Sequence, residues 1–400
     1  MQIRCRTLRG LESRAVRPVY LDHNATTPLD PRVAEAMRPW LGERWGNASS
    51  AHAAGQAARE AVEAARERVA GLLGADPLEI VLTGSGTEAN NAVVLTALRA
   101  AGPGGHLVVS GFEHPSILRA AEAWAPGHGA TVTRVAPGPD GVVAVAAVEA
   151  ALRPETRLVA LMLAQSELGT LQPVAEVAAL CRSRGVPLLT DAVQAVGKVP
   201  VSVAELGADY LTLGGHKFHG PQGAAALRIR EGAPFEPLLV GGGQERQRRA
   251  STVNVAAAVG LGEACRLAAA ELGERTRKLA ALRDRFEGAL SAAIPGAIVH
   301  GAGVARLPNT SHVAIPGTVA QDLMIRLDLA GFRISTGPAC SSGSPEPSPA
   351  MLAIGAPRDE ALASLRVSFG IGNTELEVDT FVAALVAEAA GLRAAAGAAR

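Results

Sequence analysis

Residues 209–223 read DYLTLGGHKFHGPQG. Tyr210, Leu211 and Leu213 predict the end of a buried strand, and Gly214 and Gly215 then break it, so that His216 and Lys217 stand on a tight turn. A lysine at a glycine-lined strand end loses its proton when desolvated, and its free amine can form a Schiff base with an aldehyde cofactor. On this stretch alone the plainer reading is a solvated loop lysine, and the rest of the chain decides between the two.

Outward from this turn, apolar runs alternate with amphipathic stretches. Strands are predicted at 79–82, 106–110, 131–135, 158–163, 187–190, 209–213 and 224–229, with helices between most of them, for example 88–100 and 174–184. That alternation predicts an α/β fold, a mostly parallel seven-stranded sheet covered by helices on both faces. Ligands of such sheets sit beyond the carboxyl ends of the strands, and Lys217 follows such an end. Upstream, YLDHNATTPLDPRV from Tyr20 predicts a brief strand, turn residues and a helix starting at Pro31, followed by a helix over 57–73. Downstream, the glycine- and proline-rich 234–243 leads to a long helix over 255–290. Shorter strands near Ile298, His312 and Arg333 and helices near Gln321 and Glu375 then predict a smaller C-terminal α/β domain. The expected division is 1–29 joining the small domain, 30–272 as the large domain and 273–400 as the small one. The tail GLRAAAGAAR is expected to fray.

Four hundred residues favour two domains, and 38 basic residues balance 38 acidic ones. Bulk charge therefore gives no support to a nucleic-acid or anionic-membrane partner. Cys5, Cys181, Cys265 and Cys340 show no metal-ligand spacing and no disulfide framework, which predicts a reducing compartment, the cytoplasm, and no structural metal. No apolar run approaches the roughly 18 residues of a membrane span. Residues 1–17 carry Arg4, Arg6, Arg9, Arg14 and Arg17 against Glu12 alone. An organellar targeting sequence has this bias, and a disordered extension is the other reading.

Several residues carry possible chemistry. Residues 83–91, TGSGTEANN, follow a strand and open a helix, so Gly84 and Gly86 let backbone amides converge while Thr87 adds a hydroxyl, as in a phosphate cup. An ordinary capped turn, with Thr87 to Asn90 as a poor capping box, is the alternative. Asp191, in LLTDAVQAVGK, ends a very apolar strand. A buried carboxylate there fits the group that keeps a pyridinium protonated, or else caps the next helix. Gln194 lies one turn on and can reach a cofactor phenol oxygen. His114, in GFEHPSIL, can stack on a flat ring and shuttle a proton, or be polar surface. Cys340, in STGPACSSGSPEP, is a thiol in a small-residue loop, expected to visit a site. Arg366, in LRVSFG, is expected to need a bidentate partner such as a substrate carboxylate.

Taken in order, YLDHNATTP, TGSGTEANN, EHPSIL, DAVQAVGK, GGHKFHGPQG, GGGQERQRRAST, STGPACSSG and LRVSFG resemble the cysteine desulfurases, class V aminotransferases of the fold-type I pyridoxal phosphate enzymes. The resemblance runs from Tyr20 to about Glu388. It implies a homodimer that moves sulfur from L-cysteine to a persulfide on Cys340, leaving L-alanine, for iron–sulfur cluster assembly or another thiolation route through a sulfur-acceptor protein. It implies Lys217 as the Schiff-base lysine, Asp191 at the pyridine nitrogen and His114 at the ring face. Gly86, Thr87 and His216 are implied at the phosphate, with Thr252 supplied by the other subunit, and Arg366 with Asn47 at the substrate carboxylate. The chain departs from the family pattern at Gln165 and Ser166, where two asparagines are usual and the second reaches the phenol oxygen. It departs again at Gly214, a phosphate-binding serine elsewhere, at Ser251, a glycine elsewhere, and at Pro338, a serine elsewhere. Competing readings are a class V aminotransferase, a selenocysteine lyase, or a catalytically weakened protein that docks a sulfur acceptor.

Overall fold

A computed structural model describes residues 18–336 and 346–398. Its strands are β1 (Val19–Tyr20), β2 (Ile80–Thr83), β3 (His106–Ser110), β4 (Thr131–Val135), β5 (Thr156–Ala160) and β6 (Leu188–Asp191). They continue with β7 (Tyr210–Gly214), β8 (Ala225–Ile229), β9 (Ile298–Val299), β10 (Thr310–Ala314), β11 (Phe332–Arg333) and β12 (Ser364–Ser368). The helices are α1 (Pro31–Met37), α2 (Ala53–Leu73), α3 (Gly86–Ala101), α4 (Pro115–Trp124), α5 (Val145–Ala151) and α6 (Val174–Ser183). After them come α7 (Val203–Leu206), α8 (Val255–Ala293), α9 (Ala320–Leu329), α10 (Pro349–Ala353), α11 (Arg358–Leu362) and α12 (Glu375–Ala398).

Strands β2 to β8 form one sheet in the order β2-β8-β7-β6-β5-β3-β4. β8 runs against both its neighbours, while β7, β6, β5, β3 and β4 pair in parallel. The carboxyl ends of β2, β3, β5, β6 and β7 therefore share one edge. Every residue of β3, β6, β7 and β8 is buried, as a sheet covered on both faces demands. Side chains alternate between two cores: Val108, Leu188 and Leu211 join Val62 of α2 and Leu261 of α8. Leu107, Leu189 and Tyr210 join Val93 of α3 and Ile117 of α4 on the other face.

A further core gathers Leu21, Phe286, Val313, Leu323, Leu365 and Phe381 around β10, which lies between β12 and β9. α8 reaches both regions, with Ala257 to Ala268 in the first and Leu279 to Leu290 in the second. β1 pairs in parallel with β11, which ties Val19 and Tyr20 to this second region.

Three expectations need correction. The helix expected over 57–73 starts at Ala53, because His52 caps it by accepting from the Gly55 amide. The strand expected over 158–163 is Thr156–Ala160. It starts earlier because Thr156 pairs with His106, and the Leu161 and Leu163 amides go on donating to Leu189 and Asp191 outside it. The tail does not fray at residue 391, since Leu392 packs on the second core and Arg393 donates to the Pro316 carbonyl, carrying α12 to Ala398. Among the described residues no helix is long and apolar enough to cross a membrane, and no His, Cys, Asp and Glu cluster could hold a metal.

Candidate active site

The site stands on the shared edge of strand ends. β7 stops at Gly214, and a single 3₁₀ turn, Gly215–Lys217, lifts Lys217 from the sheet. Its Nζ donates to the carbonyls of Asn24 at 2.7 Å and Ala25 at 2.8 Å. Burial, and then the positive charge of Arg366, lower the Lys217 pKa to about 8 against the opposing pull of Asp191 and Asp22. His216 lies beside it with Nδ1 against the Thr26 hydroxyl, and burial followed by the Lys217 charge pushes its pKa down to about 4. It is neutral at pH 7.

Asp191 ends β6 and is 5% exposed. Its Oδ1 accepts from the Val193 amide at 2.9 Å and its Oδ2 from Asn90 Nδ2 at 2.8 Å. It thus secures the turn that follows β6 while lining the pocket. Glu113 lies close enough to feel its charge. The Oε1 of Glu113 accepts from the Met162 amide and the Ser110 hydroxyl, and burial, then Asp191, push its pKa up to about 8. Glu113 is therefore mostly neutral at pH 7.

β2 feeds the N-terminus of α3. The capping box here is Ser85 with Glu88, not Thr87 with Asn90: Ser85 Oγ accepts from the Glu88 amide and the Glu88 carboxylate from Gly84. The amides of Gly86 and Thr87 meet no acceptor among the described residues. A Cβ on Gly86 would lie 2.9 Å from Val193, so close packing of α3 on the turn after β6 requires glycine there. His114 caps α4, with Nδ1 accepting from the Ser116 amide, which puts the proton of the neutral ring on Nε2. Burial is the largest cause of its lowered pKa.

One pocket is lined by Gly86, Thr87, His114, Ser166, Asp191, Gln194, His216 and Lys217. Other residues singled out in the sequence stand apart. Thr252 is exposed and lines a separate cleft with Gly84 and Arg249. Asn47 is exposed, its Oδ1 accepting from the Ser49 amide. Arg366 does not await a partner: its Nη2 pairs with Asp22 at 2.7 Å and its Nη1 donates to the Ser166 carbonyl at 3.3 Å. The ion pair forms because β12 lies beside the bridge from Asp22 to Ser368. Cys340 and Pro338 lie outside the described residues.

Sequence reasoning passed over Asn24 and Lys198. The Asn24 carbonyl accepts from both Lys217 and Gln194, and its Oδ1 from Lys198 and Asn309. Lys198 is buried, its Nζ on Asn24 Oδ1 and Gln194 Oε1, and burial drives its pKa well below the lysine norm. The available signals were an asparagine directly behind a strand and a lysine closing the apolar run AVGK.

A sheet whose parallel strand ends converge on an amine, a carboxylate and a helix N-terminus has the form of a ligand site at the carboxyl edge of an α/β sheet. Residues 19–381 match the family model of aminotransferase class V. The chain is 41% identical over 365 residues to a protein of Methanosarcina thermophila named cysteine desulfurase IscS, covering 91% of this chain and 90% of that one. Among solved structures, one titled NifS-like protein superposes with a TM-score of 0.86 at 34% identity, covering 92% of this chain and 98% of that chain. Another, titled SspA in complex with cysteine, has a TM-score of 0.78 at 31% identity and covers 88% and 98%. The chain belongs to the cysteine desulfurase family of class V aminotransferases.

Proposed function

We propose that the protein is a homodimeric, pyridoxal-phosphate-dependent cysteine desulfurase that converts L-cysteine to L-alanine and leaves the sulfur as a persulfide on Cys340. The observation that carries this reading is the convergence in one pocket of the Lys217 amine, the fixed Asp191 carboxylate and the open amides of α3. These residues fit the cofactor. An amine with a pKa lowered to about 8 suits condensation with an aldehyde, and a buried carboxylate held by two donors suits a pyridinium. Amides at a helix N-terminus with no acceptor suit a phosphate.

Pyridoxal phosphate, when bound, supplies the aldehyde and the electron sink for the substrate α-carbon. Asp191 would hold the ring nitrogen, and Asn90 keeps that carboxylate aimed. Gly86, Thr87 and His216 would bind the phosphate, with Thr252 from the partner subunit. His114 would cover the ring and Gln194 would reach the phenol oxygen, a contact to which Ser166 adds only a short hydroxyl. Lys217, released from the cofactor, would take the α-proton and return it. Arg366 and Asn47 would hold the substrate carboxylate. The Cys340 sulfur attacks the substrate sulfur, so the substrate carbon–sulfur bond breaks as a sulfur–sulfur bond forms. Cysteine plus thiol thus becomes alanine plus persulfide, atom for atom.

The titles of the relatives support cysteine as substrate. The IscS name supports onward transfer to an acceptor protein in iron–sulfur assembly. Free, buried Cys181 and Cys265 support a reducing compartment, the cytoplasm. The test is mass spectrometry of the Cys340 peptide after incubation with pyridoxal phosphate and L-cysteine. A persulfide on Cys340 with alanine in solution is expected, and alanine without label on Cys340 would point to a direct lyase or transaminase.

A further inference from the structure

Behind Arg366 runs a chain of polar side chains to which the proposed reaction gives no part. His312 on β10 stands directly opposite Arg366 on β12, so the two side chains leave the sheet on one face. His312 is fully buried and Arg366 is 6% exposed. His312 Nε2 and Arg366 Nε both lack a hydrogen-bond partner among the described residues, a costly state for buried polar groups.

The far end of the chain settles the protons. His300 Nε2 lies 2.9 Å from Glu360 Oε1, and His300 Nδ1 lies 3.0 Å from His312 Nδ1. A carboxylate only accepts, so the His300 tautomer that this contact selects carries its proton on Nε2 and its lone pair at Nδ1. His312 must then donate from Nδ1. Burial, His300 and Arg366 all favour the neutral His312 ring, which leaves its Nε2 a lone pair. Arg366 Nε carries an N–H and cannot accept. The two orphaned nitrogens are therefore complementary.

We propose that Glu360, His300 and His312 form a buried relay that sets His312 Nε2 as the acceptor for the Arg366 Nε–H, directly or across one water, and so positions that guanidinium for a substrate carboxylate. The inference rests on the reading in which Arg366 meets the carboxylate. Asp22 and the Ser166 carbonyl already hold the two Nη groups. An anchor at Nε fixes the rotation of the fork, on which bidentate recognition depends. His312 is a positioning residue, acting through Arg366.

The test uses the loaded protein and L-alanine, whose binding is read from the visible spectrum of the cofactor, with cofactor affinity of the apoprotein measured alongside. His312→Leu should weaken alanine binding about tenfold, the order expected when a hydrogen bond to a charged group is lost, and leave cofactor affinity unchanged. His312→Gln, whose side-chain oxygen can take the Nε–H, should recover most of the loss. If His312→Leu binds alanine as the wild type does while Arg366→Leu does not, the relay is overturned. If Arg366→Leu also binds alanine normally, it is the carboxylate reading of Arg366 that fails. Should His312→Leu not fold, the histidine ¹⁵N shifts of the wild-type protein decide, since a protonated His312 Nε2 overturns the proposal and an unprotonated one sustains it.

Discussion

Lys217 carries several opposing influences on one amine, and their signs can be checked separately. Burial disfavours the ammonium, so the proton leaves earlier than from an ordinary lysine near 10.4. Labelling of the apoprotein with an amine-acylating reagent across pH should find Lys217 half reactive near pH 8, the value to which its pKa is lowered. Arg366→Leu removes a like charge and should move that midpoint up. Asp191→Asn removes an opposite charge and should move it down, and an upward move would contradict the charge balance described here. Gly214 offers a second test. Its backbone is extended, φ −134° and ψ 121°, and an added Cβ would meet Val193 at 3.5 Å and His216 at 3.7 Å, ordinary contacts. Gly214→Ser should therefore fold normally and place a hydroxyl at the proposed phosphate site, tightening cofactor binding on the order of tenfold. No tightening in a titration of the apoprotein would mean that another group, such as a bound water, already serves the phosphate.

At the scale of elements, the segment before Thr252 depends on a buried ion pair. Glu245, Arg246 and Gln247 all have positive φ, 49°, 55° and 65°, in a region that costs a side-chain-bearing residue energy. Glu245 holds the segment there, its carboxylate bidentate to Arg66 at 2.7 and 2.8 Å and accepting from the Leu82 amide at 2.8 Å. Removing one partner of a buried pair strands the other charge. Glu245→Gln should cost about 3 kcal/mol in urea unfolding, and a loss under 1 kcal/mol would show the strain to be held elsewhere. Arg66→Met with Glu245→Leu should be milder than either single change. The cap of α3 shows where local reading stops. The alternative reading of that turn puts the capping box two residues too far along, because the choice is fixed by Glu88 meeting Gly84 on one side and Arg249, 161 residues away, on the other. Periodicity placed the strands within a few residues, since most strands of the central sheet are apolar runs and the edge strand β4, TVTRV, alternates. It could not weigh a partner that arrives from another part of the chain.

The whole molecule sets a similar limit on the site. Lys217, Asp191 and His114 were legible because each stands at or just after a strand end, which chain order alone reveals. The Asp22 partner of Arg366 is 344 residues away, and Asn24 meets Lys198 across 174, so those contacts exist only once both cores have packed. Thr252 is the remaining case. Within one chain it is exposed and lines a cleft apart from Lys217, and Val240, on the same connection between β8 and α8, is 82% exposed. If Thr252 serves a phosphate, it serves the one in a second copy, as an isologous dimer allows. Each site would then combine Lys217 of one protomer with Thr252 of the other. A Lys217→Ala chain paired with a Thr252→Ala chain has one site with both defects and one with neither. Random reassortment makes half the dimers mixed, so about a quarter of wild-type sites should reappear, read as cysteine-dependent alanine formation. The Lys217→Ala dimer alone should form none. Recovery no greater than the average of the two separate variants would mean that Thr252 acts within its own subunit or plays no part in the site.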